Sequence, residues 1–549
     1  MILFPKSIAE GTVFEADLCI IGAGPAGISV ALELLPTQKK IVVLAGGNYK
    51  ETREYRELNK GLVFPKGSHE PLEERRRRAF GGTSLAWGGR CIPFDSIDFE
   101  KRDWIPYSGW PFSYDSMKPF YEKAMKLCKA GSFTFDTDEV FPGDNGEIIQ
   151  GIDNDEVTSK KIERWSPSVN FGKEYRNVLD SADHVKVLME TNLIQICTES
   201  EKENVSSIIA SAKDKKITVR AKNYVLACGG IESPRLLLSS SNKFHPNGIG
   251  NDHDAVGRYY MSHLTGIHAE IAPSSRNKMR FHFEKDADGV PCRRRWWVTE
   301  SAQKTKKIGN VIFYLFRNSE REPLFSAVYL TKFALSITSF RSFKKIRNKW
   351  SMDKKKVVSN GTTVLTDGWR LIPIISRFAI QRFSKRKLPF LLPSVHSRSF
   401  GLFFQTEQMP NPDSRITISK TDFDYLGVPR AVAQIAFTDL DKKTIIEAHK
   451  IFIERYMKAD AGNYELDFEK LSKFVNNRLQ VFNSSSHHIG TTRISEDSSL
   501  GVVDANCKVH GMNNLFIAGS SVFPTGGHAN PTLTIVALAI KLAIFLKDA

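Results

Sequence analysis

The stretch Asp17-Leu18-Cys19-Ile20-Ile21-Gly22-Ala23-Gly24-Pro25-Ala26-Gly27 decides how the N-terminal part is read. Its first five residues form a short apolar run with β-branched side chains, the pattern of a buried strand. Three glycines follow in Gly-x-Gly-x-x-Gly spacing, and a helix-like stretch from Ile28 to Leu35 is then halted by Pro36. Gly22 permits a tight turn, Gly24 lets the backbone approach a pyrophosphate, and Gly27 lets the helix pack closely on the strand. The start of the helix offers free N–H groups and a positive dipole end to phosphates. A second strand, Ile41 to Leu44, completes the opening of a βαβ unit. Set between strand and helix, the turn predicts a dinucleotide site that includes Pro25 and Ala26. The second strand ends on Ala45, where an acid would ordinarily bind ribose hydroxyls. Either Asn48 substitutes or the adenosine relies on other contacts.

The rest of the chain bounds the possibilities. Its 549 residues allow two or more cores, and 41% hydrophobic with 25% charged residues is an ordinary globular composition. The first residues do not have the pattern of a secretion signal. The longest apolar stretch, Leu533 to Leu546, is interrupted by Lys541 and falls short of the roughly 20 residues of a spanning helix. The expectation is a soluble or peripheral protein. Seven cysteines are scattered singly, which suits a reducing compartment such as the cytoplasm and predicts neither a disulfide framework nor a metal site. Motifs of zinc proteases, common serine hydrolases and P-loop proteins are missing. Of the net charge of +16, most comes from Lys332 to Lys387, where fifteen Lys and Arg face two acids, Asp353 and Asp367.

The C-terminal segment separates an NAD site from an FAD site. Asn514-Leu-Phe-Ile-Ala-Gly519-Ser520-Ser521 and Pro524-Thr-Gly-Gly-His528-Ala-Asn530-Pro531-Thr532 read as strand, loop and helix. Together with Gly22–Gly27 they resemble the glucose-methanol-choline family of FAD-dependent oxidoreductases. Three further stretches are similar to the same family: Arg78 to Gly89, Ala227 to Pro234, and Ser486-His487-His488-Ile-Gly490-Thr491. The resemblance covers about residues 15–260 and 400–549, with order and spacing kept. It implies an α/β fold, a doubly wound FAD domain with an inserted antiparallel-sheet substrate domain. The expected FAD part is 1–94, 191–255 and 476–549; the expected substrate part is 95–190 and 256–475. Beyond the first glycine turn, the implied cofactor contacts are Gly81, Gly82, Thr83, Ser84, Trp87, Gly88, Gly89, Ile194, Gly229, Ser233, Gly519, Ser520, Asn530, Pro531 and Thr532.

The implied activity is oxidation of an alcohol CH–OH by hydride transfer to flavin N5. The family motif sets the base three residues before Gly490-Thr491, at His487. A neutral imidazole suits that work because its pKa lies near the operating pH. In an extended stretch the adjacent His488 faces the other way. Asn530 holds the second catalytic position and can bond a substrate oxygen, but Asn530-Pro531 is also a good N-cap and N1 pair for the last helix. That helix would turn its positive end toward the flavin. His528 suits either the pocket or the surface. Arg75 to Arg78 reads as a solvated or ion-paired face. Ala86 stands where relatives with a covalent flavin carry a histidine, which implies non-covalent FAD. The expected substrate is a small alcohol or a sugar-like, lipid-linked or phosphate-linked one; the electron acceptor is open. A lyase and a non-catalytic flavin-binding module are the alternatives. The basic segment 332–387 interleaves aromatic and cationic residues, which fits an anionic membrane face or, equally, a lid with a solvated face. Nucleic acid is not expected as a partner.

Overall fold

The computed structural model describes residues 1–144, 146–198, 203–274, 279–316, 399–478 and 486–548. The basic segment 332–387 lies outside the described residues. Among those residues the strands form four sheets, the largest with eight strands. At its centre Val13–Ile21 pairs in parallel with Ile41–Ala45 on one side and Lys215–Leu226 on the other. Leu515–Ile517 joins the far edge of Lys215–Leu226, also in parallel, so both ends of the chain build one sheet. The helix Pro25–Leu34 follows the first glycine turn and packs against the last helix, Thr532–Asp548. That last helix is buried on most of its surface, which explains its nearly uniform apolar composition. Among the described residues no helix is long and apolar enough to cross a membrane.

One expected boundary moves. The segment 171–190, grouped above with the substrate part, supplies the helix Phe171–Asp180 and the strand Val185–Met189 to the large sheet. Val185–Met189 pairs in parallel with Ile41–Ala45, and Ile2–Leu3 adds outside it. Its apolar residues, all buried, need that ladder, and no linker composition marks the join.

The second sheet is antiparallel and has six strands, in the order Gly462–Glu465, His263–Pro273, Phe400–Glu407, Val311–Phe316, Trp296–Val298 and Val157–Thr158. The helix Asp439–Lys458 covers it. Its start is a capping box: Thr438 Oγ1 accepts from Asp441 N at 3.2 Å and Asp441 Oδ2 accepts from Thr438 N at 2.7 Å. Ile445, Ala448, His449, Phe452 and Tyr456 recur at helical spacing and meet Trp296, Phe313 and Phe404 in the core. A four-stranded sheet includes Arg90–Cys91, Ile162–Trp165 and Pro291–Arg294.

Buried polar groups lock the loop after Arg90–Cys91 to the second sheet. Arg102 donates to Glu407 through Nη1 at 2.6 Å and Nη2 at 3.0 Å, and both side chains are fully buried. Asn310 Nδ2 donates to Asp95 at 2.9 Å and to Asp98 at 3.0 Å. Glu407→Ala leaves the Arg102 cation buried without its partner. We expect it to lower unfolding free energy by about 3–5 kcal/mol in urea titrations, and replacing both residues by methionine to cost far less. Equal losses in the two variants would contradict this.

Candidate active site

Glycine backbone builds the wall of a cavity of about 480 Å³ along the first sheet. Gly22 has φ +113°, and a Cβ there would lie 2.5 Å from the Ala227 oxygen. On Gly27 a Cβ would lie 1.9 Å from the Gly22 oxygen, so this glycine serves helix packing and does not reach the cavity. Gly82 comes so close to Gly24 that a Cβ would sit 2.9 Å from the Gly24 Cα. Two loops distant in sequence thus meet as bare backbone, as close approach to a pyrophosphate requires.

Most of the expected contacts line this cavity: Gly22, Gly24, Pro25, Ala26, Gly82, Thr83, Trp87, Gly88, Gly229, Gly519, Ser520, Asn530, Pro531 and Thr532, with His487. Others support it from behind. Ser84 Oγ accepts from Phe171 N at 3.0 Å, Ser233 is fully buried, and Gly81 and Gly89 hold turns at φ +99° and +83°. Ile194 is displaced from the wall and Leu193 takes its place. The ladder explains why: Ala210 pairs with Leu193 and Ile209 with Gln195, so Ile194 is the extra residue of a bulge.

Ala45 is fully buried, pairs with Met189 and stays off the cavity wall. Asn48 is engaged elsewhere, since its Nδ2 donates to Glu190 at 2.5 Å and its Oδ1 accepts from Tyr49 N at 2.7 Å. Asn192 lines the wall beside Gly46 instead, with its Oδ1 accepting from Arg78 Nη1 at 2.8 Å. The four arginines are ion-paired as expected: Arg75 with Glu70, Arg76 and Arg78 with Glu232, and Arg77 with Glu51. Arg76 is buried, however, and all four border the cavity.

The His487 end of the site is set by an antiparallel bridge between Met261 and Ile489, whose N–H groups donate to each other's oxygens at 3.0 Å. Two residues out from that pair, on the same face, His263 meets His487. Their Nδ1 atoms are 2.6 Å apart. His263 Nε2 faces the oxygens of Gly527 at 3.0 Å and Gly526 at 3.4 Å, so it carries a proton and donates. His263 Nδ1 is then an acceptor, and His487 must donate its Nδ1–H. The network therefore assigns the free lone pair of His487 to Nε2. His488 also lines the cavity, but its ring has other neighbours: it stacks on His69 at 5.8 Å and lies near Tyr260.

Asn530 borders the cavity where the last helix begins. The first helical bond, Ile535 N to the Pro531 oxygen at 2.8 Å, puts the helix start one residue beyond the expected cap. The Asn530 Oδ1 accepts from Gln405 Nε2 at 3.3 Å, which turns Nδ2 into its free donor. Gln405 Nε2 also donates to the His528 oxygen at 2.5 Å. His528 lies neither in the pocket lining nor on the surface; it is buried and bonds Asp95 Oδ2 at 3.0 Å. His263, Gln405, Asn192 and Arg90 were not legible as site residues. The first three sit alone in unremarkable surroundings, whereas Arg90 directly follows the Gly88-Gly89 loop and that adjacency was a usable signal.

Models of the GMC oxidoreductase family match residues 176–265 and 410–539. Over nearly their whole lengths, two relatives align with this chain. A 2-methyl-1,2-propanediol dehydrogenase of Mycolicibacterium austroafricanum is 21% identical, with 97% of this chain and 95% of that one covered. The fructose dehydrogenase large subunit of Gluconobacter japonicus is 21% identical, with 96% and 97% covered. A solved formate oxidase of Aspergillus oryzae, in a study of its FAD modification, superposes with TM-score 0.56 at 15% identity over 98% of this chain and 99% of that one. The chain belongs to the GMC oxidoreductases. FAD is the cofactor this family implies, and the glycine cradle fits it.

Burial, His263 and Arg90 hold the pKa of His487 well below its ordinary 6.5. The folded protein keeps this imidazole neutral while the unfolded chain would take up a proton, so acidification through pH 6.5 lowers stability. In a ¹⁵N-histidine NMR titration, His487 is expected to remain neutral as the pH falls through about 6. His263→Asp sets an anion beside Nδ1–H and raises that pKa; His263→Asn, which keeps an acceptor there, leaves it low. An unmoved titration in His263→Asp would show that the rings do not meet.

Proposed function

We propose that this enzyme oxidises a CH–OH group of a small alcohol or sugar-like substrate, with His487 as the base and Asn530 as the group that binds the reacting oxygen. The observation that carries this reading is the pairing of His263 with His487, which leaves Nε2 as the lone-pair atom at a wall shared with Asn530. FAD, when bound, supplies the hydride acceptor. His487 Nε2 takes the hydroxyl proton, and the depressed pKa keeps it ready to do so. Asn530 Nδ2 donates to the same oxygen and steadies the negative charge that develops on it. The start of the helix Thr532–Asp548 borders the cavity and favours negative charge there. Relatives named as dehydrogenases of 2-methyl-1,2-propanediol and fructose support the substrate class.

The FAD part in this reading is the eight-stranded sheet with the helices Pro25–Leu34, Phe171–Asp180 and Thr532–Asp548, and the six-stranded sheet forms the substrate part. FAD binding is non-covalent: Ala86 at the cavity offers no nucleophile. Cys228 also borders the cavity, but burial pushes its thiol up to about 12 and its S–H donates to the Ile21 oxygen at 3.1 Å. Precipitation in acid should release all the flavin, and colour kept by the denatured chain would contradict this.

Anaerobic mixing with a panel of alcohols and sugars, followed at the flavin absorbance, tests the reaction; no bleaching by any member would count against it. His487→Ala should retain FAD and lose about 100- to 10,000-fold in reduction rate. Asn530→Ala should also slow reduction, and His488→Ala should do much less. An inactive His488→Ala beside an active His487→Ala would reverse the assignment.

A further inference from the structure

We propose that the substrate carries an oxyanion, a carboxylate or a phosphate, which Arg90 binds beside the reacting hydroxyl. The proposal rests on the reading that His487 and Asn530 mark the reacting end. Arg90 borders the same cavity as these two residues and is 7% exposed. Its Nη1 donates to Gln405 Oε1 at 3.4 Å, and Gln405 in turn holds Asn530. One side chain therefore separates Arg90 from Asn530. The Arg90 Nη2 is buried without a hydrogen-bond partner.

The surrounding charge does not balance. Arg90 touches Glu163, and so do Arg293 and Arg295. Arg293 donates to Glu163 Oε1 through Nε at 2.7 Å and lies 2.6 Å from it through Nη2. All three arginines and Glu163 are under 10% exposed. Three guanidinium groups thus share one carboxylate out of water. The arginines next to these in sequence have acids of their own, Arg164 with Asp286, and Arg294 with Asp144 and Glu284. Tyr314 beside Arg293 adds no negative charge, since burial raises its pKa and keeps the hydroxyl protonated. Buried positive charge in excess is unfavourable unless an anion joins it. The cofactor phosphates suit the bare backbone of Gly22, Gly24 and Gly82 instead, and Arg75 to Arg78, which border the same cavity, are paired with Glu70, Glu232 and Glu51. A guanidinium with a free N–H edge suits both carboxylate and phosphate oxygens.

The test uses the FAD-loaded enzyme and matched compounds: glycerol, glycerate and glycerol 3-phosphate; glucose, gluconate and glucose 6-phosphate. Binding is followed by the flavin difference spectrum, with acetate and inorganic phosphate as anions that cannot be oxidised. In the wild type the anionic member of a set should bind about tenfold or more tightly than its neutral counterpart. Arg90→Gln should cost the anionic members about tenfold more than the neutral ones, whereas Arg90→Lys should keep part of the advantage. The better arm, carboxylate or phosphate, names the source of the oxyanion. Equal binding of neutral and anionic members in the wild type overturns the proposal and needs no variant. So does an Arg90→Gln loss that is the same for both, which would assign the cation to the reacting oxygen or the cofactor. If anions bind through Arg90 but no alcohol bleaches the flavin, the oxyanion site stands and the proposed reaction fails.

Discussion

Five residues before the last helix, Gly526 to Asn530, are held from three directions, and both His487 and Asn530 depend on that grip. The Gly527 oxygen fixes the proton on His263 and so orients His487. Asp95 holds the His528 ring, and Gln405 holds the His528 oxygen and the Asn530 amide. Asp95 comes from the loop anchored by Asn310, and Gln405 from the six-stranded sheet. The loop belongs to one layer of the molecule and its restraints to the other. Relative movement of the layers would therefore disturb His487 and Asn530 together.

Burial gives these polar groups their properties. The same dry surroundings that keep His487 neutral also bring guanidinium groups close to it, and the two effects act in one direction on its pKa. A protonated imidazole there would be a buried cation beside a buried guanidinium, which both effects oppose.

How much could be read beforehand depended on distance along the chain. The first glycine turn was legible because its three constraints fall within six residues and each has a local geometric cause. The pair Asn530-Pro531 was ambiguous for the opposite reason: what frees it from helix capping is Gln405, and nothing near residue 530 points there. Ile194 was misplaced because a bulge shifts the inward-facing position by one residue, and bulges leave no clear trace in an apolar strand. His263 could not be distinguished from any other histidine at the start of a strand until the Met261–Ile489 bridge set it opposite His487. The boundary near 190 failed because one continuous run of residues passes from one layer into the other without a change of composition.

The strand Lys215–Leu226 has a further consequence for how the protein is made. Its last residues, Tyr224 to Leu226, lie between Val13–Ile21 and Leu515–Ile517. During synthesis the first neighbour is present early, but the second leaves the ribosome only after nearly three hundred more residues have been added. Throughout that interval an apolar edge of the growing sheet stands open to pairing with other chains. A nascent chain of this design gains from a chaperone that shields strand edges, and from a translation rate that does not linger before residue 515.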